Sequence, residues 1–271
     1  MSKSLNKGIF IAKVAQEIGE PTIPADLLRD LRRADLFIQL AVLAGSAALG
    51  PDPGDDPCQT GVFLGTTTGP LDTNFAFLDS LFDNGESQAS PTLFSHSVHN
   101  AAAGYLARLL NLRGPAQTIT TPGWPFLAAL AEAKTALELM PLKRALVLAV
   151  EEESPVLVEA AARESAMAAA SSPRRGAVAW LLTTEVDSGY RLPRLTAILV
   201  EENHSAAEFY LRRQEEAFQP DFTLDPAAKV PAGLAPALAL TQAVEEARPG
   251  ESPLSWTVTG PCGRAAIRIE R

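Results

Sequence analysis

Residues 116–152 read AQTITTPGWPFLAALAEAKTALELMPLKRALVLAVEE. The stretch begins with a β-branched run, Ala116–Thr121, passes through a turn of proline and glycine into a helical pattern over Trp124–Leu139, and ends in the apolar run Arg144–Val150. An almost continuous apolar run is typical of a strand that is covered on both faces. Two strands joined by a helix imply a right-handed crossover between parallel neighbours. The stretch therefore predicts the repeating unit of an α/β fold.

The sequence on either side continues the alternation of apolar runs and helical patterns. The elements predicted before residue 116 are strands over Gly8–Val14 and Gly61–Thr66 and helices over Ala25–Leu49, Leu71–Asp83 and Ser97–Leu112. Those predicted after residue 152 are helices over Ser154–Ser172 and Leu234–Ala247, a loop over Gln219–Ala232, and strands over Gly176–Thr184, Leu195–Glu201, Ser255–Thr259 and Ala265–Glu270. We expect a mostly parallel sheet that is covered by helices.

Composition excludes several classes of function. The chain has 271 residues, 46% of them hydrophobic, and a formal net charge of -9. A nucleic-acid partner requires a basic surface, and an anionic membrane also repels an acidic chain. The two cysteines, Cys58 and Cys262, form no CxxC pair, which disfavours zinc, iron–sulfur and disulfide frameworks. The longest apolar stretch, Leu36–Gly50, is short for a membrane span. We expect a cytoplasmic protein that needs no metal and no cofactor.

One family resembles this chain over roughly residues 5–185. The segment SPTLFSHSVHNAAAGYLARLLNLRGP, Ser90–Pro115, leads into the stretch quoted above, and together they resemble the N-terminal half of the β-ketoacyl synthases, condensing enzymes of the thiolase fold. LRRADLFIQLAVLAGSAAL and TGVFLGTTTGP are similar to that family's first long helix and the strand after it. The resemblance implies one truncated thiolase-like layered domain over residues 1–271. Residues 1–202 would be the N-terminal half with added strands, and residues 203–271 a shortened C-terminal part.

The resemblance also implies a missing nucleophile. In the family, a cysteine lies at the start of a buried helix, where the helix N-terminus lowers a thiol pKa. Counting from Gly114-Pro115, the residue at that place is Gly123, which has no side chain. The family also uses two histidines in its second half, and the histidines of this chain, His96, His99 and His204, lie outside those motifs. We therefore expect no catalytic residue and no condensing activity.

The residues near Gly123 are candidates for a substrate tunnel or a subunit interface. They are Thr121, Trp124, Phe126, His99 and Asn100. For Trp124 we favour packing in the core or at a subunit contact over plugging a pocket. His96 and His99 have the spacing of metal ligands, but no carboxylate or cysteine lies nearby in sequence to complete a site. The acidic run Glu151–Glu153 is interpreted as a solvated strand end.

These features predict a subunit of the chain-length-factor type. Such a subunit would pair with an active ketosynthase through the strand Ala116–Thr121, in fatty-acid or polyketide biosynthesis of which aryl-polyene pathways are one kind. Acyl carrier protein would then dock on the ketosynthase and contact this chain indirectly. Two alternatives remain open: an acyl-thioester transferase or hydrolase that uses Ser95, His96 or His99, and a scaffold protein that pairs with itself as a homodimer.

Overall fold

A computed structural model gives the architecture of most of the chain. It describes residues 8–51, 54, 56–121, 123–156, 159, 175–186, 191–201, 222–223, 234–248, 251–260 and 263–270. The predicted helix over Ser154–Ser172 and the predicted loop over Gln219–Ala232 lie almost entirely outside the described residues. No helix in the described part of the chain is both long enough and apolar enough to cross a membrane.

Nine strands and seven α-helices make up the described structure. The strands are β1 Phe10–Ile18, β2 Thr60–Thr66, β3 Ala116–Thr120, β4 Arg144–Glu151, β5 Gly176–Thr183, β6 Arg194–Glu201, β7 Phe222–Thr223, β8 Leu254–Gly260 and β9 Gly263–Glu270. The helices are α1 Leu28–Leu31, α2 Leu36–Leu49, α3 Leu71–Asn84, α4 Pro91–Ser97, α5 Ala101–Leu109, α6 Pro125–Leu139 and α7 Leu234–Glu245.

The strands form one sheet in the order β3-β2-β4-β5-β1-β6-β9-β8-β7. Strand β2 lies between β3 and β4 and is parallel to both. The two strands of the stretch 116–152 are therefore parallel, as predicted, but they are not neighbours. Strand β7 is parallel to β8. The pairs β4–β5, β5–β1, β1–β6, β6–β9 and β9–β8 are antiparallel. The α/β layered fold is confirmed, but the expectation of a mostly parallel sheet is wrong and the sheet is mixed. An apolar run predicts that a strand is covered, and it carries no information on strand direction.

Helices cover both faces of the sheet. One apolar cluster joins Phe126 and Leu130 of α6 and Leu240 of α7 to one face, where the Phe126 and Trp180 rings meet edge to face at 5.2 Å. A second cluster joins α2 and α5 to the opposite face. Strand β4 is buried along almost its whole length. The central parallel strands are therefore rigidly held, and their carboxyl ends have fixed positions.

Two predicted helices differ from the observed ones. The helix predicted over Ser97–Leu112 is α5, which begins at Ala101 because Val98 takes an extended conformation (ψ 138°) after the end of α4 at Ser97. The helix predicted over Ala25–Leu49 is α1 followed by α2, and the Asp35 carboxylate caps α2 by accepting from the Ile38 N–H at 2.8 Å. The boundary of the domain at residue 202 stays a prediction.

Candidate functional site

The carboxyl ends of the three parallel strands meet at one edge of the sheet. Thr66 ends β2, Thr121 follows β3, and Glu151 ends β4. The Thr121 N–H donates to the Thr66 carbonyl oxygen at 3.3 Å, which holds the turn after β3 against β2. In α/β sheets, ligands bind outside the carboxyl ends of strands. The turn at 121–124 therefore occupies the place where this architecture puts its chemistry.

The turn at 121–124 carries little chemistry of its own. Gly123 is buried, and its N–H donates to the Thr121 hydroxyl at 3.3 Å. Thr121 is 3% exposed, and Pro125 is the first residue of α6. A helix N-terminus with a partial positive charge is thus present, and Gly123, the residue expected at the place of the family's nucleophile, offers only its backbone there.

A close approach of two backbones fixes the start of α6. A methyl group built on Gly65 of β2 would fall on the carbonyl of Pro125 and lie 3.0 Å from the amide nitrogen of Phe126. Only a residue without a side chain allows this contact. Gly65 therefore allows the start of α6, and the turn before it, to pack directly against the backbone of β2.

Glu151 is buried at the end of β4, which contradicts the interpretation of Glu151–Glu153 as a solvated strand end. Its side chain is 7% exposed and accepts from the Thr67 N–H at 2.5 Å and from the Thr66 hydroxyl at 3.3 Å. Burial raises the pKa of Glu151 to about 7, although the hydrogen bonds from Thr67 and Thr66 oppose that shift. Glu151 thus braces the turn that follows β2.

Glu152 is buried beside Glu151 and belongs to a wider group of acids. It is 4% exposed and accepts from the Asp72 N–H at the start of α3 at 2.9 Å. Burial raises the pKa of Glu152 to about 7, and the negative charges of Asp35, Asp72 and Glu151 add to the effect. The sequence does not indicate this role, since an acidic residue after a strand gives no sign of the helix that covers it.

The two histidines at the metal-ligand spacing have separate neighbours. His96 is 6% exposed, and its Nε2 lies 2.9 Å from the Tyr105 hydroxyl. The His99 ring lies against Gly69, whose positive φ of 63° turns the chain after β2. Among the described residues, no group of three or more His, Cys, Asp or Glu side chains could hold a metal ion. His204 lies outside the described residues.

Trp124 and Phe126 are buried within the chain itself. Trp124 is 5% exposed and Phe126 1%, and both belong to the apolar cluster between α6 and the sheet. Their large rings therefore fix α6 on the sheet. A tunnel or interface role for either residue stays a proposal.

His99 and Asn100 line an open groove of about 900 Å³ beside strand β3. The other lining residues are Ala116, Gln117, Thr118 and Ile119 of β3, Ala128, Ala131 and Glu132 of α6, and Val200 of β6. Strand β3 is at one end of the described sheet, so one side of it has no neighbouring strand. The structure thus brings two of the predicted interface candidates to an open sheet edge.

Cys58 lies far from the turn at 121–124. It is exposed in the turn that precedes β2, whereas Gly123 lies beside the other end of that strand. Six residue steps along a strand span about 20 Å. That distance keeps the Cys58 thiol away from the carboxyl ends of the strands. Cys262 lies outside the described residues.

Two curated relatives match this chain at moderate identity over a short segment. The 3-oxoacyl-[acyl-carrier-protein] synthase 2 of Vibrio harveyi is 35% identical over 98 residues, which are 34% of this chain and 23% of that enzyme. The chain thus matches less than a quarter of the length of this relative.

Solved structures match the fold over nearly the whole chain. The ishigamide ketosynthase/chain length factor has a TM-score of 0.72 at 16% identity, covering 97% of this chain and 98% of that one. A ketosynthase in complex with a type II PKS acyl-carrier protein has a TM-score of 0.75 at 15% identity, covering 98% and 99%. At these identities the likeness is one of fold. The family model described as β-ketoacyl synthase, N-terminal domain, matches residues 24–243, and the chain belongs to that family.

Proposed function

We propose that this chain is a non-catalytic subunit that pairs with an active ketosynthase, in the manner of a chain-length factor. The observation that carries the proposal is Gly123, which places bare backbone at the start of α6 where the family has its nucleophile. Loss of a catalytic nucleophile lowers turnover by about a millionfold in a well-studied protease. The scaffold around that place is nevertheless intact, since Gly65, Thr66 and Glu151 hold the turn in position.

The surrounding polar groups do not form an alternative hydrolytic site. The Ser95 hydroxyl donates to the Thr92 carbonyl at 2.9 Å, and His96 is bound to Tyr105. Neither bond joins Ser95 to a histidine, which a serine nucleophile would need for activation. The proposal of an acyl-thioester transferase or hydrolase therefore has less support than that of a paired subunit.

The open edge of β3 offers a route for pairing. The Val62 N–H donates to the Pro115 carbonyl at 2.7 Å, and the Thr121 N–H donates to the Thr66 carbonyl. Because backbone groups point alternately to the two sides of a strand, the odd-numbered residues of β3 bond to β2 and the even-numbered ones point away. The N–H and C=O groups of Ala116, Thr118 and Thr120 therefore face the open side. An exposed edge of this kind is normally covered or paired.

The comparisons support a ketosynthase as the partner. Structures with the same fold include a ketosynthase/chain length factor and a ketosynthase bound to an acyl-carrier protein. On this proposal the ketosynthase performs the condensation and receives the acyl carrier protein, while this chain stabilises it and shapes its acyl tunnel. The pathway would be of the fatty-acid or polyketide type, in the cytoplasm.

Replacing Thr118 with proline tests the pairing. The change removes an N–H that points away from β2, so the β2–β3 ladder stays complete, and proline is tolerated on such an edge. We expect Thr118→Pro to abolish the one-to-one complex that forms on co-expression with a ketosynthase encoded beside its gene. The measurement is size-exclusion chromatography with light scattering on the purified complex.

Thr118→Val is the matched control for this experiment. Valine keeps the backbone N–H and the branched shape, and it removes a hydroxyl that has no hydrogen-bond partner in the described structure. The control should pair like the wild-type chain, and both variants should melt within a few degrees of it. A Thr118→Pro chain that still forms the complex would contradict pairing through β3, and a wild-type homodimer without affinity for the ketosynthase would favour the scaffold alternative.

A further inference from the structure

The wall of the groove opposite β3 contains one acidic side chain among small ones. Ala128, Ala131 and Glu132 of α6 line the groove together with residues 116–119 of β3. These α6 residues therefore lie at the level of the middle of the open strand. The two alanines let another chain approach closely, and Glu132 then faces whatever occupies the groove.

Nothing in the described structure neutralises Glu132. Its carboxylate is exposed, and the described ion pairs do not include it. Residues three and four positions away on a helix are the neighbours that could form an ion pair. Here those neighbours are Ala128, Ala129, Thr135 and Ala136, none of which is charged. Among the described residues, the Glu132 carboxylate therefore has no counter-ion.

Pairing with a second copy of this chain would bring two such charges together. A homodimer has a twofold axis, so each patch meets its own copy. With an axis perpendicular to the sheet near Thr118, α6 stays on the same face of the sheet as its copy. The two Glu132 carboxylates would then face each other across the joined grooves. Like charges that face each other in an interface disfavour the pairing, and the net charge of -9 on each chain adds to the repulsion.

We propose that Glu132 selects a different subunit over a second copy, and that the selected subunit presents a cation, lysine or arginine, to the groove. This inference rests on the proposed function, because it concerns the same open edge. It adds the chemistry of the partner: an extended edge strand flanked by a basic residue. Glu132 contributes to the choice of partner, whereas the backbone of β3 contributes the hydrogen bonds.

A charge-exchange experiment tests the choice between copies without any ketosynthase. Wild-type chain and E132K are studied separately and as an equimolar mixture by sedimentation equilibrium. In the mixture one Glu132 faces one lysine. We therefore expect the dissociation constant of the mixed pair to be at least tenfold lower than that of either homodimer. Glu138→Lys is the control, because it makes the same charge change on α6 outside the groove, and it additionally removes the partly exposed ion pair with Lys134. When Glu138→Lys is mixed with wild-type chain, the mixed pair should bind no more tightly than either chain binds to itself.

The ketosynthase complex gives the second arm of the test. We expect E132K to raise the dissociation constant of that complex at least tenfold in isothermal titration calorimetry, with Glu132→Gln intermediate and Glu138→Lys unchanged. If Thr118→Pro abolishes the complex but E132K leaves its affinity unchanged, the inference is overturned and the proposed function stands. If wild-type chains pair with themselves as tightly as the mixture does, the inference also fails. If no ketosynthase complex forms at all, the proposed function fails.

Discussion

Replacing Gly65 with alanine is expected to destabilise the folded chain by more than about 3 kcal/mol, beyond the usual cost of overpacking a core. The added methyl group would fall on the carbonyl of Pro125 and lie 3.0 Å from the amide nitrogen of Phe126, so a strand or a helix must move. Because both obstacles are backbone, no rotamer change relieves the clash. Chemical denaturation followed by circular dichroism measures the loss, and a purified variant without a cooperative transition would be the extreme result.

Gly104→Ala is the matched control for Gly65→Ala. Gly104 lies in the middle of α5, is exposed, and has nothing within 4 Å of the added methyl group. The same substitution there should stabilise the chain by about 1 kcal/mol, because alanine has the higher helix propensity. Equal effects at the two positions would contradict the close approach of β2 and α6.

The free energy of unfolding is expected to fall as the pH rises from about 4.5 to about 7. Burial raises the pKa of both Glu151 and Glu152 from 4.5 to about 7. Over that interval the folded chain keeps protons that the unfolded chain has already released, so folding is favoured at the lower pH. The expected loss is on the order of 3 kcal/mol for each group, and it is complete above pH 7.

Glu152→Gln should remove much of this pH dependence. The amide keeps the shape, accepts from the Asp72 N–H with its oxygen, and does not ionise. We expect the variant to be more stable than the wild type at pH 8, by about 1–3 kcal/mol. Urea titrations at half-unit pH intervals provide the measurement. Glu153→Gln, in the same acidic run but ion-paired with Arg175, is the control, and a steep slope retained in Glu152→Gln would refute the assignment.

The sequence predicts the central strands well because their residues are apolar without interruption. Strands β2 and β4 lie within one residue of the predicted bounds, since burial on both faces leaves little choice of residue. The directions of β1 and β5 could not be predicted in the same way. Antiparallel neighbours need no crossover helix, and the apolar pattern of β5 would suit either direction.

The sequence predicts the position of the candidate site but not its surroundings. Gly123 is found by counting from Gly114-Pro115, because that spacing spans a single strand and turn. The sequence does not predict the burial of Glu151 and Glu152, because Glu151 is bonded to the turn after β2 and Glu152 to the start of α3, both some eighty residues earlier in the chain. The sequence does not single out Glu132 for a similar reason: the groove forms where α6 passes over the open strand.

On the proposed function, the outward-facing N–H and C=O groups of β3 would affect how cells produce this chain. In a chain without its partner, the unpaired edge of β3 can form hydrogen bonds with any extended peptide, including partly folded chains in the cell. Synthesis in balance with a binding companion would shorten the time for which that edge is bare. In a recombinant host that lacks the partner subunit, low yield and inclusion bodies would then result from the missing partner and not from an unstable hydrophobic core.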